Sequence, residues 1–229
     1  MKKLSVTMSR TEVILGLILL AAQLLVLPAL LMIVNRLLGD PLNEVQINFA
    51  FFCLEFLLTV ALFHRFLLES VKHSLAEPFR TLRFAGLGLL LYWLGSTAMG
   101  MLILRLYPNF ANVNDASIGA LTQENQILMT IGTVFFVPVV EETLYRGVIF
   151  GALSKYNFLL GYVISIISFS ALHIVGYIGL YDPMLLFMCF LQYIPAGICL
   201  CWAYRKADSI WAPILMHITI NQVGILSMR

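Results

Sequence analysis

Hydrophobic residues run along this chain in unbroken blocks rather than in alternation. Uncharged or nearly uncharged stretches occupy 13–35, 47–68, 84–104, 124–154, 156–175, 183–204 and 209–228. Each approaches or exceeds the roughly 20 apolar residues needed to cross a bilayer as a helix. None shows the period-2 pattern of a barrel strand. Helices and closed barrels are the structures that satisfy backbone polar groups in lipid, so the pattern predicts transmembrane helices. The polar breaks between them are short. They comprise 36–45 with Gly39-Asp40-Pro41, a basic connector carrying Arg65, Lys72, Arg80 and Arg83, an Asn-rich loop at 107–123, Lys155-Tyr156-Asn157, and a turn at 205–208. The expected fold is an all-α polytopic bundle of about seven spans. It forms one integrated membrane domain, with residues 1–83 holding the N-terminal helices and basic connector, and 84–229 the core that carries the candidate chemistry.

Composition agrees. Hydrophobic residues make up 61% of the 229 and charged residues 11%, against about 25% charged in a soluble domain. The mean hydropathy is +0.93. A net charge of +2 gives no footprint for nucleic acid. The run at 13–35 is longer than the apolar region of a secretory signal and is expected to be retained as the first span. Basic residues fix the direction. With the N-terminus cytosolic, Lys2, Lys3, Arg10, Arg65, Lys72, Arg80, Arg83, Arg146, Lys155, Arg205 and Lys206 fall inside, and only Arg36, Arg105 and Arg229 outside. Cys53, Cys189, Cys199 and Cys201 all sit in apolar runs without CxxC spacing, as small apolar filler.

Three polar intrusions interrupt the apolar runs. The first is Glu141-Glu142-Thr143-Leu144-Tyr145-Arg146. Each charge at bilayer depth costs about 2.5–3.5 kcal/mol on insertion scales. Glu142 and Arg146 are four apart and share a helix face. Glu141 is rotated from them by about 100°, toward a different environment that suits a general base. Pro138 just before it is expected to loosen the helix. A plain interfacial salt bridge accounts for Glu142 and Arg146 but leaves the second carboxylate unexplained. The second intrusion is His173, four residues after Phe169; alone, a histidine on an apolar helix is more often a packing residue. The third is His217 with Asn221, again four apart and on one face. Glu141 and His173 are level if the chain turns at Asn157, each about 24 Å from that turn. The expected site lies inside the membrane and opens to the cytosolic side.

Glu-Glu-x-x-x-Arg, Phe-x-x-x-His and His-x-x-x-Asn, in order and on separate spans, resemble the motifs of the CAAX prenyl endopeptidase and bacteriocin-processing (CPBP, or Abi) family of intramembrane proteases. The resemblance covers residues 84 to 221. It implies a peptidase in which Glu141 and His173 position and deprotonate a water. His217 and Asn221 would donate to the oxyanion, and Glu142, Arg146 and Phe169 would support them. The family admits both metalloprotease and metal-free glutamate mechanisms. His-Glu-x-x-His is missing, so the expectation is no required cofactor; if zinc is used, its ligands would be Glu141, His173 and His217. The expected partners are a peptide or membrane-anchored protein substrate and the lipid bilayer, with no nucleic acid. The expected location is a bacterial plasma membrane, as a multi-pass protein. Peptide maturation, self-immunity and leader processing are the family-style roles.

Other polar residues carry blander expectations. Glu55 is set aside as paired with another helix or placed at the lipid interface. His64 and His73 are read as solvated, and Gln23 and Gln192 as interhelical hydrogen-bonding residues. Two rival functions remain: a transporter or proton relay, since membrane Glu/His chains also move protons, and a non-catalytic immunity or scaffold protein. The transporter reading lacks an inverted repeat, and the scaffold reading does not account for the presence of every motif residue.

Overall fold

The computed structural model describes residues 4–227; Lys2, Lys3 and Arg229, counted above for orientation, lie outside them. Among the described residues the chain forms helices and no strand. They are α1 (Arg10–Leu25), α2 (Leu27–Leu37), α3 (Glu44–Ala76), α4 (Pro78–Leu106), α5 (Val113–Glu124), α6 (Gln126–Leu153), α7 (Phe158–Val175), α8 (Pro183–Ala207) and α9 (Trp211–Ser227). Helices α3, α4, α6, α7 and α8 are long and apolar enough to cross a membrane. This is a multi-pass all-α membrane bundle.

The span boundaries differ from expectation in three places. The first span is broken: α1 and α2 meet at a 50° bend, next to Pro28 in the first turn of α2, where proline removes a backbone donor. The basic connector is helical. α3 runs on to Ala76 and α4 starts at Pro78, so one residue separates them. The Asn-rich loop contains α5, whose N-cap Asn112 accepts from the backbone N–H of Asn114 at 2.9 Å and Asp115 at 3.2 Å. The last expected span is α9. Its 17 described residues reach about 26 Å, a little short of the roughly 30 Å hydrocarbon core.

α6 is the central helix. It packs against α1, α3, α7 and α9, and 61% of its most apolar window is buried, against 17% for α3 and 11% for α4. The peripheral helices turn apolar side chains such as Ile18, Leu57, Leu90 and Leu94 outward, as lipid-facing surfaces do. α7 lies hard against the end of α6: a Cβ on Gly161 would stand 2.9 Å from the Ser154 nitrogen and 3.3 Å from the Phe150 carbonyl.

Side-chain ties identify the two ends of the bundle. At one end Ser5 donates from its backbone N–H and its hydroxyl to Asp208 at 2.7 and 2.6 Å. Lys155 reaches the Met8 carbonyl at 3.3 Å, and Arg80 the Lys206 carbonyl at 3.1 Å. This end gathers Arg10, Lys72, Arg80, Arg83, Lys155, Arg205 and Lys206. His73 is not simply solvated there, because its Nε2 lies 3.9 Å from the buried Asp208 carboxylate. The opposite end holds the α2–α3 turn, α5 and the α7–α8 turn, with Arg36 and Arg105. The basic asymmetry therefore survives folding, with one correction: Arg146 is fully buried in the bundle and is not a loop charge.

Replacing Gly161 with alanine is expected to destabilise the protein by about 1–3 kcal/mol, because the nearest atoms are backbone and cannot move aside. Gly86→Ala, where nothing lies within 4 Å, serves as the control. Thermal unfolding in detergent micelles should show a clear drop for the first and little change for the second.

Candidate active site

α6 does not run as a regular α-helix. Residues Ile131–Phe136 and Glu142–Phe150 are wound as π-helix, on either side of a short α-helical stretch, Val137–Glu141. Such π segments occur often at functional sites. Pro138 explains part of this. In the π register the Val137 N–H donates to the Gly132 carbonyl, five residues back. Pro138 would be next in that register but has no N–H. The Thr133 carbonyl, its would-be partner, instead accepts from Asn221 Nδ2 at 2.7 Å. A proline in one span thus frees the backbone acceptor that anchors a motif residue of another.

The two carboxylates of α6 occupy different surroundings, as their rotation implies. Glu142 is fully buried. Its Oε1 accepts from Arg146 Nη1 at 3.0 Å and from His217 Nδ1 at 2.7 Å. Arg146, also fully buried, lies with its guanidinium 4.2 Å from the centre of the Phe169 ring. Phe169 in turn meets the rings of Tyr145, His173 and His217 edge-on, at centroid separations of 5.7, 4.9 and 5.9 Å. Glu141 faces a cavity. Its Oε2 has no hydrogen-bond partner, and His217 Nε2 is 3.9 Å away.

His173 sits near the end of α7. Its Nδ1 donates to the Phe169 carbonyl at 2.9 Å, since a carbonyl only accepts, and this leaves Nε2 for the cavity. Its ring stacks on Tyr193 of α8, centroids 4.0 Å apart and 24° from parallel. The cavity has a volume of about 600 Å³, and Glu141, Phe169, His173, His217 and Asn221 all line it. All three motifs therefore converge on one space. Glu142 and Arg146 stand behind its wall. Glu141 and His173 make no ion-pair contact; the histidine beside Glu141 is His217. The residues named for zinc do not form a ligand set: among the described residues, no three His, Cys, Asp or Glu side chains are grouped to hold a metal ion.

The mouth is at the unexpected end. From Glu141 and His217 the cavity runs past Tyr193 to Asn48, Asn114, Asp115 and Ser117, at the N-terminus of α3 and along α5. This is the end poor in lysine and arginine, so the positive-inside rule places the opening on the non-cytosolic side rather than the cytosolic side. The depth argument failed because α7 ends two residues after His173. A position about 24 Å from one turn is thus close to the opposite surface.

Two acids outside the motifs belong to this region. Glu55 of α3 is buried, not at a lipid interface. Its Oε1 has no partner, and it is within electrostatic reach of Glu141. An acid in mid-span was the signal for it. Asp115 of α5, outside the spans, accepts from the Tyr193 hydroxyl at 2.9 Å. Burial pushes its carboxyl above the ordinary value, against the pull of that hydrogen bond. Gln23 and Gln192 behave as expected, bonding Tyr145 at 3.3 Å and Asn112 at 2.9 Å.

Residues 123–223 match the family model described as Type II CAAX prenyl endopeptidase Rce1-like. A curated protein of Bacillus subtilis (strain 168), "Putative membrane peptidase YdiL", is 31% identical over 101 residues, covering 43% of this chain and 36% of that protein. The chain thus spans about a third of that relative's length. No solved structure matches the chain. The family match falls on the stretch that carries the three motifs, in agreement with the resemblance they show.

Arg146→Met is expected to destabilise the protein by about 3–5 kcal/mol, because the buried Glu142 carboxylate loses its guanidinium partner and keeps only His217. The double variant Arg146→Met with Glu142→Leu should recover part of that loss, since His217 is then the only member left unpaired. Denaturation in micelles measures both; equal stability of the single variant and the parent would contradict the buried pairing.

Proposed function

We propose that this chain, whose residues 123–223 carry the Rce1-like pattern, is an intramembrane endopeptidase that hydrolyses a peptide or membrane-anchored protein with a glutamate-activated water. The observation that supports this most is the meeting of Glu141, His173, His217 and Asn221, from three different helices, at one cavity in a membrane bundle.

In this mechanism a water donates one hydrogen to the Glu141 carboxylate and the other to His173 Nε2. Glu141 takes the first proton as the water oxygen attacks the scissile carbonyl carbon. The carbonyl oxygen becomes an oxyanion. Asn221 uses one Nδ2 hydrogen on the Thr133 carbonyl and has its second for that oxyanion. His217, donating from Nδ1 to Glu142, serves as the second donor at the oxyanion in its imidazolium form, with Nε2 also carrying a hydrogen. Collapse breaks the C–N bond, and Glu141 returns its proton to the departing amine. No covalent intermediate forms, and no step runs through a metal. Glu142, Arg146 and Phe169 hold His217 and the π-wound segment in place.

The test is cleavage of fluorogenic peptides by the purified protein in detergent. Glu141→Gln should abolish turnover. Asn221→Ala should lower kcat by about 10²–10³, the cost of one oxyanion donor, and should also lower stability by about 1–3 kcal/mol, because the Thr133 carbonyl loses its donor. Activity should survive a strong chelator. Turnover that persists in Glu141→Gln would remove the proposed base, and loss under the chelator would replace the metal-free mechanism.

A further inference from the structure

The cavity contains a charge pattern that the reaction does not use. Of its lining residues only Asp115 and Glu141 are acidic, and no lysine or arginine is among them. Arg146 is fully buried with its guanidinium against the Phe169 ring, so Phe169 stands between it and the cavity. Asp115 accepts from Tyr193 and has no cationic partner among the described residues. Around the mouth, the described residues at the same end of the bundle include Asp40, Glu44, Glu124 and Asp182, all exposed, against Arg36 and Arg105. A partly buried carboxylate without a counter-charge, at the mouth of an acid-rich face, attracts and orients cations.

A substrate ending in a free carboxylate would meet the opposite: two carboxylates, and no lysine or arginine among the described lining residues to receive it. Such an end would have to shed its hydration without a partner. Apolar side chains have room instead, since Phe51, Phe52, Trp93, Leu121, Ile220 and Leu172 line the same space.

Resting on the peptidase reading, we infer that the substrate is an internal, apolar chain segment bearing a lysine or arginine, which Asp115 receives at the non-cytosolic mouth while the scissile bond lies inward beside Glu141. The Tyr193 side chain links the two positions: its hydroxyl touches Asp115 and its ring stacks on His173. The basic residue is therefore seated about one tyrosine side chain away from the reacting carbonyl, and this fixes the register of the cut. Asp115 is a specificity-determining residue here and takes no part in bond breaking.

The experiment separates binding from chemistry. Three labelled apolar peptides, identical except for Lys, Gln or Glu at one internal position, are titrated by fluorescence anisotropy in nonionic micelles. The protein is full-length Glu141→Gln, alone or combined with Asp115→Asn, Asp115→Glu or Asp115→Lys. The Lys peptide should bind about tenfold tighter than the Glu peptide. Asp115→Glu should keep that preference, Asp115→Asn should bring the ratio close to one, and Asp115→Lys should reverse it. Equal affinity for all three peptides, no binding of any, or a ratio indifferent to the charge at position 115 would overturn the inference. Wild-type protein incubated with the same peptides reports on the underlying reading. Charge-selective binding without cleavage would remove the peptidase and leave the cation site. Cleavage without charge selectivity would do the reverse.

Discussion

Everything at this site depends on one oxygen, Oε1 of Glu142. It is fully buried and accepts from Arg146 one turn along its own helix and from His217 on α9. Ions taken out of water recover their desolvation cost only with such geometry, and a packed hydrophobic pair would often be as stable. What the ionic arrangement adds is position. His217 can occupy only the rotamer and hydrogen-bonding state that Glu142 accepts, which turns its other nitrogen toward Glu141. Arg146 meanwhile lies against the Phe169 face, so α6, α7 and α9 are registered against each other by a single charged cluster. The same Phe169 passes its carbonyl to His173 and holds that second histidine too.

The winding of α6 is the matching backbone constraint. A regular helix through 131–150 would consume its own carbonyls. With π turns and Pro138, one carbonyl, that of Thr133, is left over in the bundle. A buried acceptor without a donor is costly, and Asn221 supplies the donor from α9. The acceptor left open in one helix is thus satisfied by the side chain that the proposed reaction needs in another. Pro138 and Asn221 are 83 positions apart in the sequence, yet each explains why the other is tolerated.

This separation shows what was legible and what was not. Charges in apolar runs stand out because lipid penalises them, so Glu141, Glu142, Arg146, His173, His217 and Asn221 could be read from spacing alone. The Glu142–Arg146 pair followed from its i,i+4 interval. The bond from Glu142 to His217 did not, because depth along separate helices says nothing of azimuth. α5 was hidden in a polar segment whose only signal was an N-cap, Asn112, since its packing is tertiary. The direction of the opening was misread for a related reason: a distance from one turn was used without the length of α7. Glu55 was visible but discounted, because it belongs to none of the three motifs, and its electrostatic neighbour is Glu141 on another helix.

The position of the mouth bears on how hydrolysis can proceed within a hydrocarbon slab. The outer faces of α3, α4 and α7 are apolar, so water has no favourable route from the lipid. The route that is polar passes Asn48, Asn114 and Ser117 at one end of the bundle and reaches Glu141 midway. A helical substrate would keep its carbonyls in internal hydrogen bonds, which lipid enforces. Unwound backbone at this depth is tolerated where it borders a polar cavity. The donors at this cavity, Asn221 above all, can take over a carbonyl that leaves its helix. On the proposed chemistry the cavity therefore does two things with the same groups: it makes local unwinding of the substrate affordable, and it presents the released carbonyl to the water held by Glu141. Segments that unwind easily should be the ones that reach the reaction, so substrate selection rests on backbone stability as well as on side-chain fit.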